Sequence, residues 1–253
     1  MKTGSHCILA LILLFTACGS APDPPKQAGE ETVLWAKRML NKGQYRVASE
    51  ELEKLVLNFP DQEWADEAQF LLGTAHMEME EYILAENAFR MLLASYPGSE
   101  YVDDAEFSIA LSLSEQAPNY RLDQTATESA IRALERFIED YPSSDLIPAA
   151  RIELEECRDR LARKLLRAAR HYLKRRRTKS ARIYLEEIQE RYPNSRSALQ
   201  ARLYLAECDE RSGELQEAAL GLADLLQDLD ENDPLTEEVS AKLSEIRGKI
   251  EQG

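Results

Sequence analysis

Cysteine, histidine and long apolar runs are all scarce in this 253-residue sequence. Of its four cysteines, Cys157 and Cys208 are the two in the body of the chain, and two distant thiols make no disulfide framework. Both stand inside amphipathic stretches, where cysteine acts as a small apolar residue. The three histidines form no HExxH spacing, and GxSxG, P-loop and dinucleotide fingerprints are missing too. The sequence therefore offers no signature for an enzyme, a cofactor or a metal site. His76 falls on a packing position and His171 sits beside Tyr172, so neither reads as a metal ligand. Paired carboxylates such as Glu50-Glu51, Glu155-Glu156 and Glu186-Glu187 are common. Adjacent residues on a helix point about 100° apart, so such pairs are solvated faces rather than convergent acids. Cations are the minority, 31 Lys and Arg against 46 Asp and Glu, which argues against a general nucleic-acid binder.

The longest apolar run, Cys7 to Phe15, is too short to span a bilayer. With Lys2 before it and small residues after, it reads as a secretion signal over residues 1–17. Phe15-Thr16-Ala17-Cys18 resembles a bacterial lipobox, which implies that Cys18 is lipidated, with palmitate among its acyl chains, and begins the mature chain. Gly19 after it resembles the outer-membrane sorting pattern. The Pro-, Gly- and Ala-rich stretch to residue 29 then serves as a flexible tether. Several acyl chains would give a stable membrane attachment, where one chain is marginal.

What the sequence does contain is a repeat. Phe59-Pro60, Tyr96-Pro97, Tyr141-Pro142 and Tyr192-Pro193 punctuate it, and such punctuation calls for a repeat search. Before Pro97 stand Leu72-Gly73, His76, Tyr82, Ala85, Phe89 and Leu92, at the offsets of a tetratricopeptide hairpin. Trp35-Ala36, Met39, Gly43, Tyr45, Ala48, Leu52 and Leu55 repeat the pattern before Pro60. Leu205-Ala206, Gly213, Leu215, Ala218, Leu222 and Leu225 repeat it near the C-terminus. Small residues let antiparallel helices approach while Leu and Phe fill the groove beside them, and proline stops the second helix.

Two units are longer. In the third, Ala110 fits only if residues 117–124 form an inserted surface loop. In the fourth, Ala169, Tyr172, Ala181, Leu185 and Ile188 fit after fourteen extra residues, about four helical turns, so residues 146–174 read as one long helix or two stacked end to end. Asp233 as N-cap, Pro234, and the stripe Leu235, Val239, Leu243, Ile246 and Ile250 predict a capping helix. The expected fold is all-α, a right-handed superhelix of five hairpins with a C-terminal cap. Residues 30–142 would carry units one to three, and 143–253 the rest.

Two surfaces stand out. Between Arg158 and Arg182 lie twelve basic residues and one acid, Asp159, a local +11 in a mature chain of 30 basic and 46 acidic residues, net −16. The segment reads as a solvated helix face or as a surface for an acidic protein partner or anionic lipid head groups. Arg175, Arg176 and Arg177 fall on the hairpin turn, with Lys179, Arg182 and Tyr184 starting the next helix. The second surface is the concave side of units two and three, which falls on Phe70, Thr74, Met77, Phe107, Leu111 and Ser114. Aromatic and Met side chains there would suit an apolar, variable peptide, though each also fits packing against a neighbouring hairpin.

The stretch Arg158-Asp159-Arg160-Leu161-Ala162-Arg163-Lys164, continued by Ala169, Tyr172-Leu173-Lys174-Arg175, Ala181 and Tyr192-Pro193, resembles the middle segment of the BamD family. These are lipoproteins of the outer-membrane β-barrel assembly machine. The resemblance covers roughly residues 30 to 230 and implies a non-enzymatic factor on the periplasmic face of the outer membrane. It also implies docking on the POTRA region of a BamA-type barrel and recognition of unfolded outer-membrane barrel proteins. Residues 61–107 also resemble periplasmic TPR lipoproteins of the Tol-Pal and peptidoglycan system, which would imply a cell-envelope scaffold instead.

Overall fold

The second helix of every hairpin carries the same buried triad. Ala48-Leu52-Leu55, Ala85-Phe89-Leu92, Ala130-Leu134-Phe137, Ala181-Leu185-Ile188 and Ala218-Leu222-Leu225 recur at i, i+4 and i+7, all at most 2% exposed. This spacing puts one small and two large side chains on a single helical face, which can bury only against a partner helix. The computed structural model describes residues 23–25, 29–117, 119–120, 122–230 and 232–252. The signal, Cys18 and most of the tether lie outside the described residues.

Within the described residues the chain forms eleven helices and no strand. Five antiparallel pairs follow one another: α1 (Glu30–Leu40) with α2 (Tyr45–Asn58), α3 (Ala65–Glu78) with α4 (Tyr82–Ser95), α5 (Val102–Glu115) with α6 (Thr125–Asp140), α7 (Ile147–Lys174) with α8 (Thr178–Arg191), and α9 (Arg196–Ser212) with α10 (Leu215–Asp228). Each helix packs on the next, and first helices also meet across units, α1 with α3, α5 with α7 and α7 with α9. These pairs are the five tetratricopeptide-like units expected from the sequence. No described helix is long and apolar enough to cross a membrane.

Close approach within unit two depends on Gly73. A Cβ there would sit 2.5 Å from the ring of buried Phe89. The aromatic-proline pairs end the second helices as read. The N–H groups of Phe59, Tyr96, Tyr141 and Tyr192 bond to Leu55, Leu92, Phe137 and Ile188, and the proline that follows has no N–H to continue the ladder. The same turns clasp adjacent units, with Ser99 donating to Asp66 at 2.6 Å and Ser144 donating to Asp103 at 2.8 Å.

Four of the five hairpin turns share one geometry, with a left-handed residue at Gly43, Glu80, Arg176 or Gly213. The next N–H then reaches a carbonyl five residues back, as in Arg177 to Tyr172 at 3.0 Å and Glu214 to Asp209 at 2.9 Å, closing a Schellman-type turn. The α5–α6 connection is the exception. Residues 117–124 fall in it as the expected insertion, but it is more organised than a plain surface loop: buried Gln124 donates to the carbonyls of Asn119, Leu122 and Asp123.

The long element is one continuous helix of 28 residues, α7, about 42 Å from end to end. Its first half, through Ala150, Leu154 and Cys157, packs with α5 and α6, and its second half, through Ala162, Leu166, Ala169 and Leu173, packs with α8 and α9. The last helix, α11 (Pro234–Gln252), covers α10 with Leu235, Val239, Leu243 and Ile246 buried. Asp233 caps it by accepting from the Leu235 N–H at 2.8 Å. Cys157 and Cys208 form no disulfide and are buried, and burial pushes both thiols up to about 11. They are therefore protonated, unreactive core groups.

Candidate functional site

The basic segment divides into three parts once folded. On α7, Lys164, Arg167, Arg170, His171 and Lys174 are all exposed, and their spacing of three or four residues places them on neighbouring rows of one face. The turn follows, with Arg175, Arg176 and Arg177 exposed and Arg176 held at φ 57°. Lys179 is exposed at the start of α8. Among the described residues, Arg167, Lys174, Arg175, Arg176, Arg177 and Lys179 have no carboxylate partner. Positive charge at the C-terminal end of α7 is favoured by the helix dipole, which offsets part of their mutual repulsion.

The remaining two residues of the predicted docking set are engaged within the chain. Arg182 donates to Asp209 and also lies 3.9 Å from Glu186, so it ties α8 to α9. That hydrogen bond raises its pKa. Its role is structural, a correction the sequence could not supply because Asp209 lies on the following helix. Tyr184 stacks on Tyr172, with ring centroids 5.5 Å apart and planes 14° apart, and a hydrogen bond to Tyr172 raises its hydroxyl pKa.

Beside these residues is a cleft of about 700 Å³ lined by the α7 cations, by Tyr172 and Tyr184, and by Tyr120 of the α5–α6 connection. The sequence reading missed it. The three- and four-residue spacing of the α7 cations was the available signal, but the tyrosine wall comes from other elements.

The predicted concave groove is narrower than the sequence suggested. Phe107 and Ser114 are buried, at 8% and 1% exposure, and belong to the core. Phe107 packs 5.5 Å from Phe137, while Ser114 donates to Glu153 and lies 3.3 Å from the Cys157 sulfur. The reason is the long α7, which packs over this part of α5. Phe70, Thr74, Met77 and Leu111 are half-buried. Phe70 stacks on Tyr101 at 4.9 Å, Thr74 donates to the Phe70 carbonyl at 3.0 Å, and Met77 sulfur accepts from Ser112 at 3.0 Å. His76 is tied to Glu81 at 2.8 Å. Among the described residues, no group of three His, Cys, Asp or Glu side chains could hold a metal.

Asp159 also went unassigned in the sequence. It is the one buried acid among the described residues, accepting from Arg163 at 2.6 Å and from the Ser197 N–H at 2.7 Å. It thereby joins α7 to the start of α9, where Ser195 caps the helix.

Comparison with known proteins gives this architecture a family. The chain is 27% identical over 153 residues to the outer membrane protein assembly factor BamD of Caulobacter vibrioides, a match covering 60% of this chain and 50% of that protein. It thus spans about half the length of that curated relative. Among solved structures, a tetratricopeptide repeat protein from Parabacteroides merdae matches 87% of this chain and 73% of its own, at 17% identity and TM-score 0.38. PilW, a type IV pilus biogenesis factor, matches 82% of this chain and 96% of its own, at 15% identity and TM-score 0.39. The model of the YfiO outer membrane lipoprotein family matches residues 30–220, which take in the five hairpins apart from the second half of α10. The chain belongs to the YfiO family of outer membrane lipoproteins.

Proposed function

We propose that this chain is a lipid-anchored assembly factor on the periplasmic face of the outer membrane, which brings unfolded β-barrel proteins to a BamA-type barrel by docking on its POTRA region. Its family and the name of its Caulobacter relative support the assembly role. The anchor in this reading is Cys18. The observation that carries the docking site is the Arg175–Arg177 turn, three exposed guanidinium groups with no internal carboxylate. Arg176 adds to it, because a left-handed backbone at a residue with a Cβ costs on the order of 1–2 kcal/mol and two sister turns use glycine there. Such groups meet carboxylates in bidentate geometry. Client segments would contact Phe70, Thr74, Met77 and Leu111, which remain partly exposed.

The test is depletion of the protein followed by complementation with wild type or with Arg175→Ser/Arg176→Ser/Arg177→Ser. Depletion should lower barrel proteins in the outer membrane while septation stays normal. The triple variant should restore them poorly, dock on an isolated POTRA domain about tenfold more slowly with a flatter salt dependence, and melt at an unchanged temperature. Constriction defects with normal barrel levels would favour the Tol-Pal-type scaffold. An unchanged association rate with a lowered melting temperature would make the arginine turn a stabilising element only.

A further inference from the structure

The cleft next to the turn has a chemistry of its own. Lys164, Arg167, Arg170, His171 and Lys174 run along its α7 wall, ten residues or about 15 Å from first to last. Among the described residues no carboxylate lines it. Two of these cations are held in place, Arg170 lying 5.9 Å from the centroid of the Tyr204 ring and Lys164 donating to the Leu122 carbonyl at 3.3 Å. The acid whose ionisation Lys164 assists, Asp123, is engaged by the Thr125 hydroxyl and N–H and is itself on the exposed loop. Arg167 and Lys174 keep their full hydrogen-bonding capacity. The Tyr172–Tyr184 stack adds a flat, largely apolar surface beside the cations.

We propose that this cleft holds an extended acidic polypeptide segment laid along α7, three alternate carboxylates shared among Lys164, Arg167, Arg170 and Lys174 and an intervening side chain on the tyrosine stack. In an extended chain, side chains on one face recur about every 6.8 Å. Three such side chains span about 14 Å, which matches the length of the cationic row. Neutralising an exposed row of like charges gives the segment a favourable interaction, and the protein is relieved of the repulsion that the row creates. A folded acidic surface or a bilayer fits less well. Both are broad, whereas the cationic row lies along one helix in a bounded cleft. A bilayer of anionic lipid also confronts the strongly acidic remainder of the chain, whereas one peptide strand senses charges only within a Debye length of about 8 Å. The assignment rests on the docking reading above for the identity of the partner, and on the cleft itself for the chemistry.

The probe is a fluorescein-labelled peptide, Glu-Ser-Glu-Tyr-Glu, titrated by anisotropy into the full mature chain in detergent. Controls are its Gln-for-Glu counterpart, inorganic phosphate as competitor and phosphatidylglycerol vesicles. The acidic peptide should bind at least tenfold more tightly than the Gln peptide, with affinity falling as salt rises. Arg167→Gln/Lys174→Gln, which alters two exposed and unpartnered side chains, should weaken peptide binding at least tenfold while leaving the circular dichroism melt unchanged. Equal binding of the two peptides, unaltered binding by the double variant, full displacement by millimolar phosphate, or capture of vesicles without peptide would each overturn the assignment. The two proposals fail separately. A chain that binds the peptide through these residues but ignores an isolated POTRA domain keeps the cleft and loses the docking reading. A chain that docks the domain while the double variant still binds the peptide normally keeps the docking and loses the cleft.

Discussion

The hairpins α7–α8 and α9–α10 share a backbone plan and treat their arginines in opposite ways. In α9–α10, Arg202 bonds to Asp224 and Asp228 at 2.6 and 2.5 Å, Arg196 grips Asp233 with both terminal nitrogens, and Arg211 reaches Glu207 and the Leu173 carbonyl. Each pairing ties that hairpin to itself or to a neighbour. In α7–α8, Arg158, Arg163, Arg182 and Arg191 are paired with carboxylates, while among the described residues Arg167, Lys174, Arg175, Arg176, Arg177 and Lys179 are not. The turns differ likewise, with Gly213 relaxed at φ 86° and Arg176 held at φ 57°. A charge left unpaired on a surface contributes little to folding, and several of one sign on one face oppose it. The contrast therefore separates arginines that hold the array together from arginines that are available to something outside it.

Asp159, which joins the two hairpins, gives the largest expected effect. Replacing it with Ala leaves the Ser197 N–H buried without an acceptor and Arg163 without its partner. The expected loss is about 3 kcal/mol, roughly 6–12 °C in melting temperature. A shift below about 2 °C would show that the hairpins hold together without this clasp. Next comes Arg176→Gly, which should stabilise. The left-handed penalty of about 1–2 kcal/mol is relieved, and the flexibility of glycine takes back about 0.5–1 kcal/mol. The net gain is on the order of 0.5 kcal/mol, a rise of about 1–2 °C by circular dichroism. A fall would place the Arg176 guanidinium among the structural group.

The smallest effect concerns Asp233, the acid that Arg196 grips. Its carboxyl is held at about 2, below its ordinary 3.8, chiefly by the Arg196 hydrogen bond and then by the Leu235 N–H. A depressed carboxyl stabilises the fold above its unfolded value, and that contribution disappears as pH falls through the folded one. Wild type should therefore melt above Asp233→Asn from neutral pH down to about 4, with the gap closing as pH approaches about 2. A gap constant across that range would mean that the Arg196 ion pair contributes nothing to the docking of α11.

The hairpins were readable because their code is local. An aromatic-proline pair closes each of the first four units, and the small-large-large triad recurs at fixed spacing in each second helix, so five hairpins follow from short windows. The capping helix was readable for the same reason, since Asp233 and Pro234 adjoin the stripe they start. What escaped notice depended on distant partners. Arg182 looks free until α9 brings Asp209 beside it, and Phe107 and Ser114 look like groove walls until α7 is extended over them. The strain at Arg176 is invisible in a single turn because nothing about arginine announces a left-handed backbone. Superposing the repeats would have revealed it, since Gly43 and Gly213 occupy the same turn position. The cleft combines both situations, a cationic row legible on α7 and tyrosines delivered by α8 and the α5–α6 connection.

The continuity of α7 has a mechanical consequence. Units three and four meet through a turn as the others do, at residues 141–146, but α7 also runs on past it, its first half embedded in the core of unit three and its second half in the next. A solenoid bends at its joints, and here the joint between units three and four is spanned by a beam about 42 Å long. A load applied at the Arg175–Arg177 end is therefore carried by rotation of the beam as a whole, which levers the packing at Ala150 and Leu154 rather than dissipating in an intervening hinge.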